Sequence, residues 1–402
     1  MTGGRDGRPP ETSGSHMQRY LVLDFIRGCA ILGILLLNII GFGLPSAAYL
    51  NPAWQGSITL SDAWTWAISD VFAQLKFLTL FALLFGAGLQ MQLSRGSRWL
   101  TARLSLLVML GLIHSVFIWE GDILLDYGII GLVIWRMLRD VPSTRGLINT
   151  GILLYLMGCA VLLVFGLISS PEPSPSWLPG AAEIQYEQFW KLTGGLAAVQ
   201  IRLDHLSSGL MALVAQYGWQ LAGLMMLGAA LVRSGWLKGT FPLQHYRRVA
   251  ALLLPLGLLM AAAGVAAQWW VHWDYRWSAF YLQLPRDLAS PLISLGYTAL
   301  CFGFWSSVQR WRLSYAIRCV GRMALSNYLL QSLICTTLFY RFGEFMHFSR
   351  LQLVMLVPVI WCVNLLFSVL WLRYFPQGPL EWIWRRLTLI AAGAPSTSPS
   401  ER

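Results

Sequence analysis

The stretch YLVLDFIRGCAILGILLLNIIGFG, Tyr20 to Gly43, decides the fold class. It is a hydrophobic run long enough to cross a bilayer as a helix, which takes about 20 mostly apolar residues. Yet it carries Asp24 and Arg27 near one end and Asn38 well inside the other half. An ionisable side chain at that depth costs several kcal/mol even on the gentler insertion scales, so it needs a partner or a cavity.

The rest of the chain reads the same way. Of its 402 residues 56% are hydrophobic and only 12% charged, with a mean hydropathy of +0.57. A soluble domain carries about a quarter charged residues, so this composition implies an all-α polytopic membrane protein in contact with the lipid bilayer. Ten runs have the length of a spanning helix: 20–43, 66–93, 99–118, 121–138, 146–169, 207–233, 247–270, 286–307, 316–340 and 351–374. The second is long and includes Lys76, which predicts a break or a tilt. The third and fourth are joined by little more than WEGD, residues 119–122. A single transmembrane domain over 20–387 is expected, with an outward loop at 170–205 and disordered tails at 1–19 and 388–402. The first run is too long for a signal-peptide core and lacks a clear cleavage site, so it reads as a signal anchor.

The net charge of +11 does not form one patch, which argues against nucleic acid as a partner. Basic clusters at Arg95/Arg98/Arg103, Arg136/Arg139/Arg145, Arg233/Lys238/Arg247/Arg248 and Arg310/Arg312/Arg318 follow the second, fourth, sixth and eighth runs. Cytoplasmic loops gather Lys and Arg, so both termini are expected in the cytoplasm, as in a bacterial inner-membrane protein. Much of the tryptophan, including Trp54, Trp64, Trp119 and Trp269, sits at run ends as an interfacial belt. The six cysteines form no CxxC pair, and no Cys/His cluster has zinc spacing, so no metal is expected.

Within the runs, Asp24 and Arg27 are spaced i, i+3 on one helix face. They form either an interfacial ion pair or a fixed cation facing a cytoplasmic anion such as a coenzyme phosphate. Asn38 lies eleven residues beyond Arg27, about 16 Å along a helix on nearly the same face. It is either interhelical glue or part of one channel. His114 sits in the outer part of the third run, with Asp122 and Asp126 just across the short turn. A carboxylate that orients one imidazole nitrogen leaves the other to take a proton. Lys76 lies near mid-depth in the second run. The segment GRMALSNYLLQS (321–332) adds Arg322, Ser326, Asn327 and Gln331, more polar groups than packing needs. GAG at 86–88 reads as close helix packing.

LDFIRG with Asn38, FLTLFALLFGAG (77–88), GLIHSVFIWEGDILLDYGIIG (111–131), GRMALSNYLLQS and PQGPLEWIWR (376–385) resemble the YeiB-like membrane proteins, domain-of-unknown-function family 418. That family in turn resembles the transmembrane acyltransferases, including heparan-alpha-glucosaminide N-acetyltransferase and the acyltransferase-3 enzymes. Leu23, Asp24, Arg27 and Gly28 match their LDxxRG entry to the first helix, and Asn38 matches an Asn of the heparan enzyme. The resemblance implies transfer of acetyl or another acyl group from cytoplasmic acyl-CoA to an outward-facing envelope sugar or amine. Both relatives use a histidine close to the first helix, whereas this chain has none between His16 and His114. His114 is therefore a substitute assigned from position.

The expected site has Arg27, Arg322, Lys76, Asp24 and Asn327 around the coenzyme. Asn38 would stabilise the thioester oxyanion, and His114, oriented by Asp122, would act as base. A transporter using Asp24, Lys76, Asp122 and His114 as a substrate or proton relay is the alternative.

Overall fold

The computed structural model describes residues 12–393, and among them the chain is helical with no strand. In chain order the helices are α1 (Thr12–Gly43), α2 (Leu60–Phe72), α3 (Lys76–Gln92), α4 (Ser97–Phe117), α5 (Leu124–Asp140) and α6 (Thr144–Ile168). There follow α7 (Ala181–Thr193), α8 (Gly195–Ala212), α9 (Gly218–Arg233), α10 (Leu243–Trp270) and the short α11 (Tyr275–Ala279). The last are α12 (Leu284–Val308), α13 (Arg312–Arg322), α14 (Ala324–Thr336), α15 (Arg350–Tyr374) and α16 (Pro379–Ala391).

Among the described residues eight stretches are long and apolar enough to cross a membrane: α1 from Leu21, α2 with α3, α4, α6, α8 with α9, α10, Tyr281–Val308 and α15. Each of the ten expected runs contains helix, but two fall short of that measure. The 121–138 run is α5, only 17 residues long, with Asp126, Arg136, Arg139 and Asp140 in it. The 316–340 run breaks at Met323 into α13 and α14. The chain is thus a multi-pass membrane protein.

Three expected boundaries change. The stretch 170–205 is not a plain loop, because its acidic and aromatic residues build α7 and most of α8. Residues 388–391, expected in the tail, continue α16, while 394–402 lie outside the described residues. At the other end the chain is helical from Thr12, and residues 1–11 lie outside the described residues.

The expected break in the second run falls at Ala73–Leu75, where Leu75 takes a left-handed φ of 63° before α3 restarts. Lys76 Nζ donates to the carbonyl of Asp70 at 2.6 Å and so occupies one of the acceptors exposed at the end of α2. A π-helical turn at Leu213–Tyr217 similarly joins α8 to α9.

α1 is the axis of the bundle. Buried residues make up 72% of its apolar window, against 28% for α6, α10 and α15 at the rim. Without a hydrophobic drive between helices in lipid, close backbone approach at small residues supplies the packing. In α3 and α9, Gly86 faces the Met225 carbonyl and Gly228 faces the Leu83 carbonyl, the role expected for GAG. In α1 and α13, a Cβ at Gly28 would lie 2.1 Å from the Ile317 carbonyl oxygen, and one at Gly321 would lie 1.8 Å from that of Asp24. That crossing sets Arg27 beside Arg322. Gly321→Ala should therefore destabilise the protein by about 1–3 kcal/mol through overpacking, read as a lower denaturation midpoint in detergent than wild type.

Candidate functional site

A cavity of about 350 Å³ lies among α1, α3, α4, α5, α13, α14 and α16. One end is basic, with Arg27, Arg103 and Arg322 in its lining, and the other closes on Ile123, Leu124 and Tyr328. Between them the wall is mostly apolar. Such a volume is at the small end for a ligand site.

Each arginine is held differently. Arg27 pairs with Asp24 at 2.9 Å, with both side chains partly exposed. Arg322 donates to the Pro376 carbonyl at 2.9 Å. The Arg103 guanidinium lies 3.5 Å from the centre of the Trp384 ring, whose indole N–H returns a 2.9 Å bond to the Arg103 carbonyl. Arg103 thus has a cation–π partner but no carboxylate within ion-pair distance among the described residues. Glu381 also lines this end, but it is committed elsewhere. It accepts from the N–H groups of Leu325 (2.8 Å) and Ser326 (3.1 Å) and from the Ser326 hydroxyl (2.5 Å), which caps the start of α14. Of the three guanidinium groups at this end, Arg27 alone has a carboxylate within ion-pair distance among the described residues.

At the far end, His114 Nδ1 lies 2.7 Å from Asp122 Oδ1, and both side chains are fully buried. Asp122 Oδ2 accepts from the Leu125 N–H at 2.7 Å, so the carboxylate also caps α5 and cannot swing freely. His114 Nε2 has no hydrogen-bond partner among the described residues. Asp126, the other candidate partner, turns instead to the Tyr217 hydroxyl at 3.1 Å. The Tyr328 ring centre is 5.3 Å from that of His114, and its hydroxyl oxygen accepts from the Ile123 N–H at 3.2 Å. Tyr328 thus stands between the cavity, which it lines, and His114, which is not part of the lining.

Asn38 is buried at 7% exposure. One turn beyond it Phe42 stacks on Trp119 at 3.9 Å, and the Trp119 N–H bonds the His114 carbonyl at 2.9 Å. The outer end of α1 and the His114 turn are therefore joined.

Of the expected site residues only Arg27 and Arg322 line the cavity; Asp24 stands behind Arg27 as its partner, Asn38, His114 and Asp122 lie beyond the lining, and Asn327 and Lys76 are committed elsewhere. Asn327 sits in a polar ladder between α14 and α15: its amide bonds Ser368 at 2.7 Å, and its carbonyl accepts from Asn364 at 2.9 Å. Lys76 belongs to a second buried cluster. There Arg286 pairs with Asp70 at 3.0 Å, and Asp287 accepts from Gln220 at 2.9 Å. The Tyr155 hydroxyl bonds the Asp287 carbonyl at 2.5 Å, an acceptor freed because Pro291, four residues on, has no N–H.

A third cluster covers the outer end. Lys191 of α7, fully buried, meets Glu120 at 3.1 Å and Glu187 at 2.9 Å, while Arg202 of α8 reaches Glu120 at 3.3 Å. Glu187 accepts from the Ser46 hydroxyl at 2.7 Å, tying α7 to the end of α1. Burial alone would push Glu120 up, but Lys191 and Arg202 outweigh it and hold the carboxyl below the ordinary 4.5. A group depressed on folding contributes stability above its unfolded value and loses it as pH falls through the folded value. Docking of α7 should thus weaken on acidification below about 4.5. Glu120→Gln should loosen α7 already at neutral pH, by about 3–5 kcal/mol for a broken buried pair, and abolish the acid step. Hydrogen exchange across α7 reads both effects.

The family model described as "Protein of unknown function (DUF418)" matches residues 231–391, which include Arg322, Tyr328, Glu381 and Trp384. The chain is similar to "Uncharacterized protein YeiB" of Escherichia coli (strain K12), at 59% identity over 386 residues, covering 96% of this chain and 100% of that protein. It is 29% identical over 401 residues to "Uncharacterized protein YxaH" of Bacillus subtilis (strain 168), covering 93% of this chain and 95% of that one. A protein encoded in an amylase 3′ region of Bacillus acidopullulyticus is 24% identical over 380 residues, covering 92% and 94%. No solved structure matches the chain. The similarity to YeiB extends over nearly the whole chain, so Arg27, His114 and Asp122 are covered by it as well as the matched C-terminal part. The chain belongs to the DUF418 family of YeiB-like membrane proteins.

Proposed function

We propose that the protein is a transmembrane acyltransferase, moving an acyl group such as acetyl from cytoplasmic acyl-CoA to an outward-facing envelope sugar or amine. The observation that carries this reading is the cavity itself, which runs from three arginines to a tyrosine packed on a buried His–Asp pair. Arg103 and His114 are eleven residues apart on one helix, roughly 16 Å, a span of the order of an extended pantetheine arm. Arg27, Arg103 and Arg322 hold the coenzyme phosphates, with Asp24 fixing Arg27. The positive-inside rule puts this end, and both termini, on the cytoplasmic side of the inner membrane.

At the other end His114 Nε2 takes the proton of the acceptor while Asp122 fixes the ring through Nδ1. Asn38 donates to the oxyanion that grows on the thioester carbonyl. Lys76 and Asn327 are left out of the site, because their polar groups are committed to the Asp70 carbonyl and to the α14–α15 ladder.

A second reading, transport, is favoured by the broken α2/α3 helix next to Asp70, Lys76, Arg286 and Asp287. Discontinuous helices with buried charges build substrate and ion sites in transporters.

Purified protein incubated with labelled acetyl-CoA and envelope glycans should yield a labelled glycan. His114→Ala should lower the rate by about 10²–10⁴-fold, the usual worth of a general base, with coenzyme binding retained. Unchanged transfer in that variant removes His114 from the reaction. Uptake of a solute by proteoliposomes with no covalent product turns the assignment to transport.

A further inference from the structure

Two tyrosines line the cavity, and their hydroxyls differ in one respect. Tyr127 spends its proton on the Leu78 carbonyl at 3.0 Å. Tyr328 does the opposite: its oxygen is the acceptor, fixed by the Ile123 N–H at 3.2 Å. Its own O–H has no acceptor among the described residues, although the side chain is 2% exposed. A buried tyrosine normally finds a partner for its proton. An oxygen held in place by a backbone N–H, with its proton unspent at the closed end of a cavity, is a preorganised donor.

Resting on the acyl-transfer reading, the geometry points to Tyr328 as a catalytic residue, the donor that meets the thioester carbonyl from the cavity side. Asn38 and His114 are not in the cavity lining, whereas Tyr328 is, so it is the polar side chain at the closed end that an arriving thioester meets. The Ile123 N–H adds to the effect, because a phenol whose oxygen accepts a hydrogen bond is the stronger donor. Nothing is consumed at Tyr328. The acceptor atom forms its bond to the acyl carbon, the carbon–sulfur bond breaks, and the acceptor's proton passes through His114 to the departing thiolate. Tyr328 keeps its own proton and holds the oxyanion while charge is on it. Donors aimed at developing charge in a site closed to water are the largest single contribution in many acyl transfers.

The test is isotope-edited infrared spectroscopy of acetyl-CoA labelled at the thioester carbonyl, bound to the purified full-length protein. In wild type the carbonyl stretch should fall below that of the free coenzyme ester. Tyr328→Phe should bind the coenzyme and return the band to its free position, and Tyr127→Phe should leave the shift in place. With an acceptor present, Tyr328→Phe should lose about 10²–10³-fold in kcat with little change in KM. Bound acetyl-CoA with an unshifted carbonyl in wild type, or a shift that survives in Tyr328→Phe, overturns the role of Tyr328 and leaves acyl transfer standing. Failure of wild type to bind acetyl-CoA overturns both.

Discussion

A polar group inside a bilayer has no water to fall back on, so it must be satisfied by the protein itself or by something the protein binds. That constraint sorts the buried polar residues of this chain. Asp70 and Arg286 neutralise one another at 3.0 Å, and Lys76 seals a carbonyl at the α2 break. Asn327, Asn364 and Ser368 exchange hydrogen bonds across α14 and α15. Even the carbonyl freed by Pro291 is taken, by Tyr155. Among the described residues several buried groups are left without a partner, Asp70 Oδ1 and Arg286 Nε included, and beside the cavity these are His114 Nε2 and the hydroxyl proton of Tyr328. Groups left unsatisfied at one place are what a polar ligand would satisfy.

The other end of the cavity follows from how closely α1 and α13 cross. Gly28 and Gly321 let the two backbones meet, and Arg27 and Arg322 are the residues next to them in sequence. The crossing that packs the axis of the bundle therefore forces two guanidinium groups to one mouth, where Arg103 of α4 joins them. Asp24 offsets part of the repulsion, and exposure to water screens more of it. What remains is relieved by any anion that enters, so the fold provides attraction for a phosphate before any specific contact is made.

Much of this was legible in the sequence because it is local. Run lengths located the helices, Lys76 in an overlong run marked the α2/α3 break, and the short WEGD turn placed His114 against Asp122. GAG announced close helix packing, though not that α9 would be the partner. What was not legible depends on partners far apart in the chain. Asp70 and Arg286 are 216 residues apart, and Arg286 and Asp287 sit at a run edge where a charge looks interfacial. Asn327 looked available because its partners, Ser368 and Asn364, belong to another helix. Residues 170–205 looked like a loop because α7 is amphipathic and polar, and its cation Lys191 becomes fully buried only against Glu120. Arg103 read as one more positive-inside charge, since nothing nearby in sequence announces that Trp384 will hold it over the cavity.

His114 is closed off from both directions. Tyr328 separates it from the cavity, and α7 and α8 are fastened by Glu120, Lys191, Glu187 and Arg202 over the outer turns that lead to it. For a transferase this enclosure has a chemical reason. A thioester brought to an activated base in the presence of water is hydrolysed, so transfer to a sugar or amine requires that water be kept out until the acceptor is in place. The outer fastening is built from ion pairs rather than from apolar packing alone. Ion pairs rearrange when a competing polar partner arrives, whereas a packed apolar contact gains nothing from one.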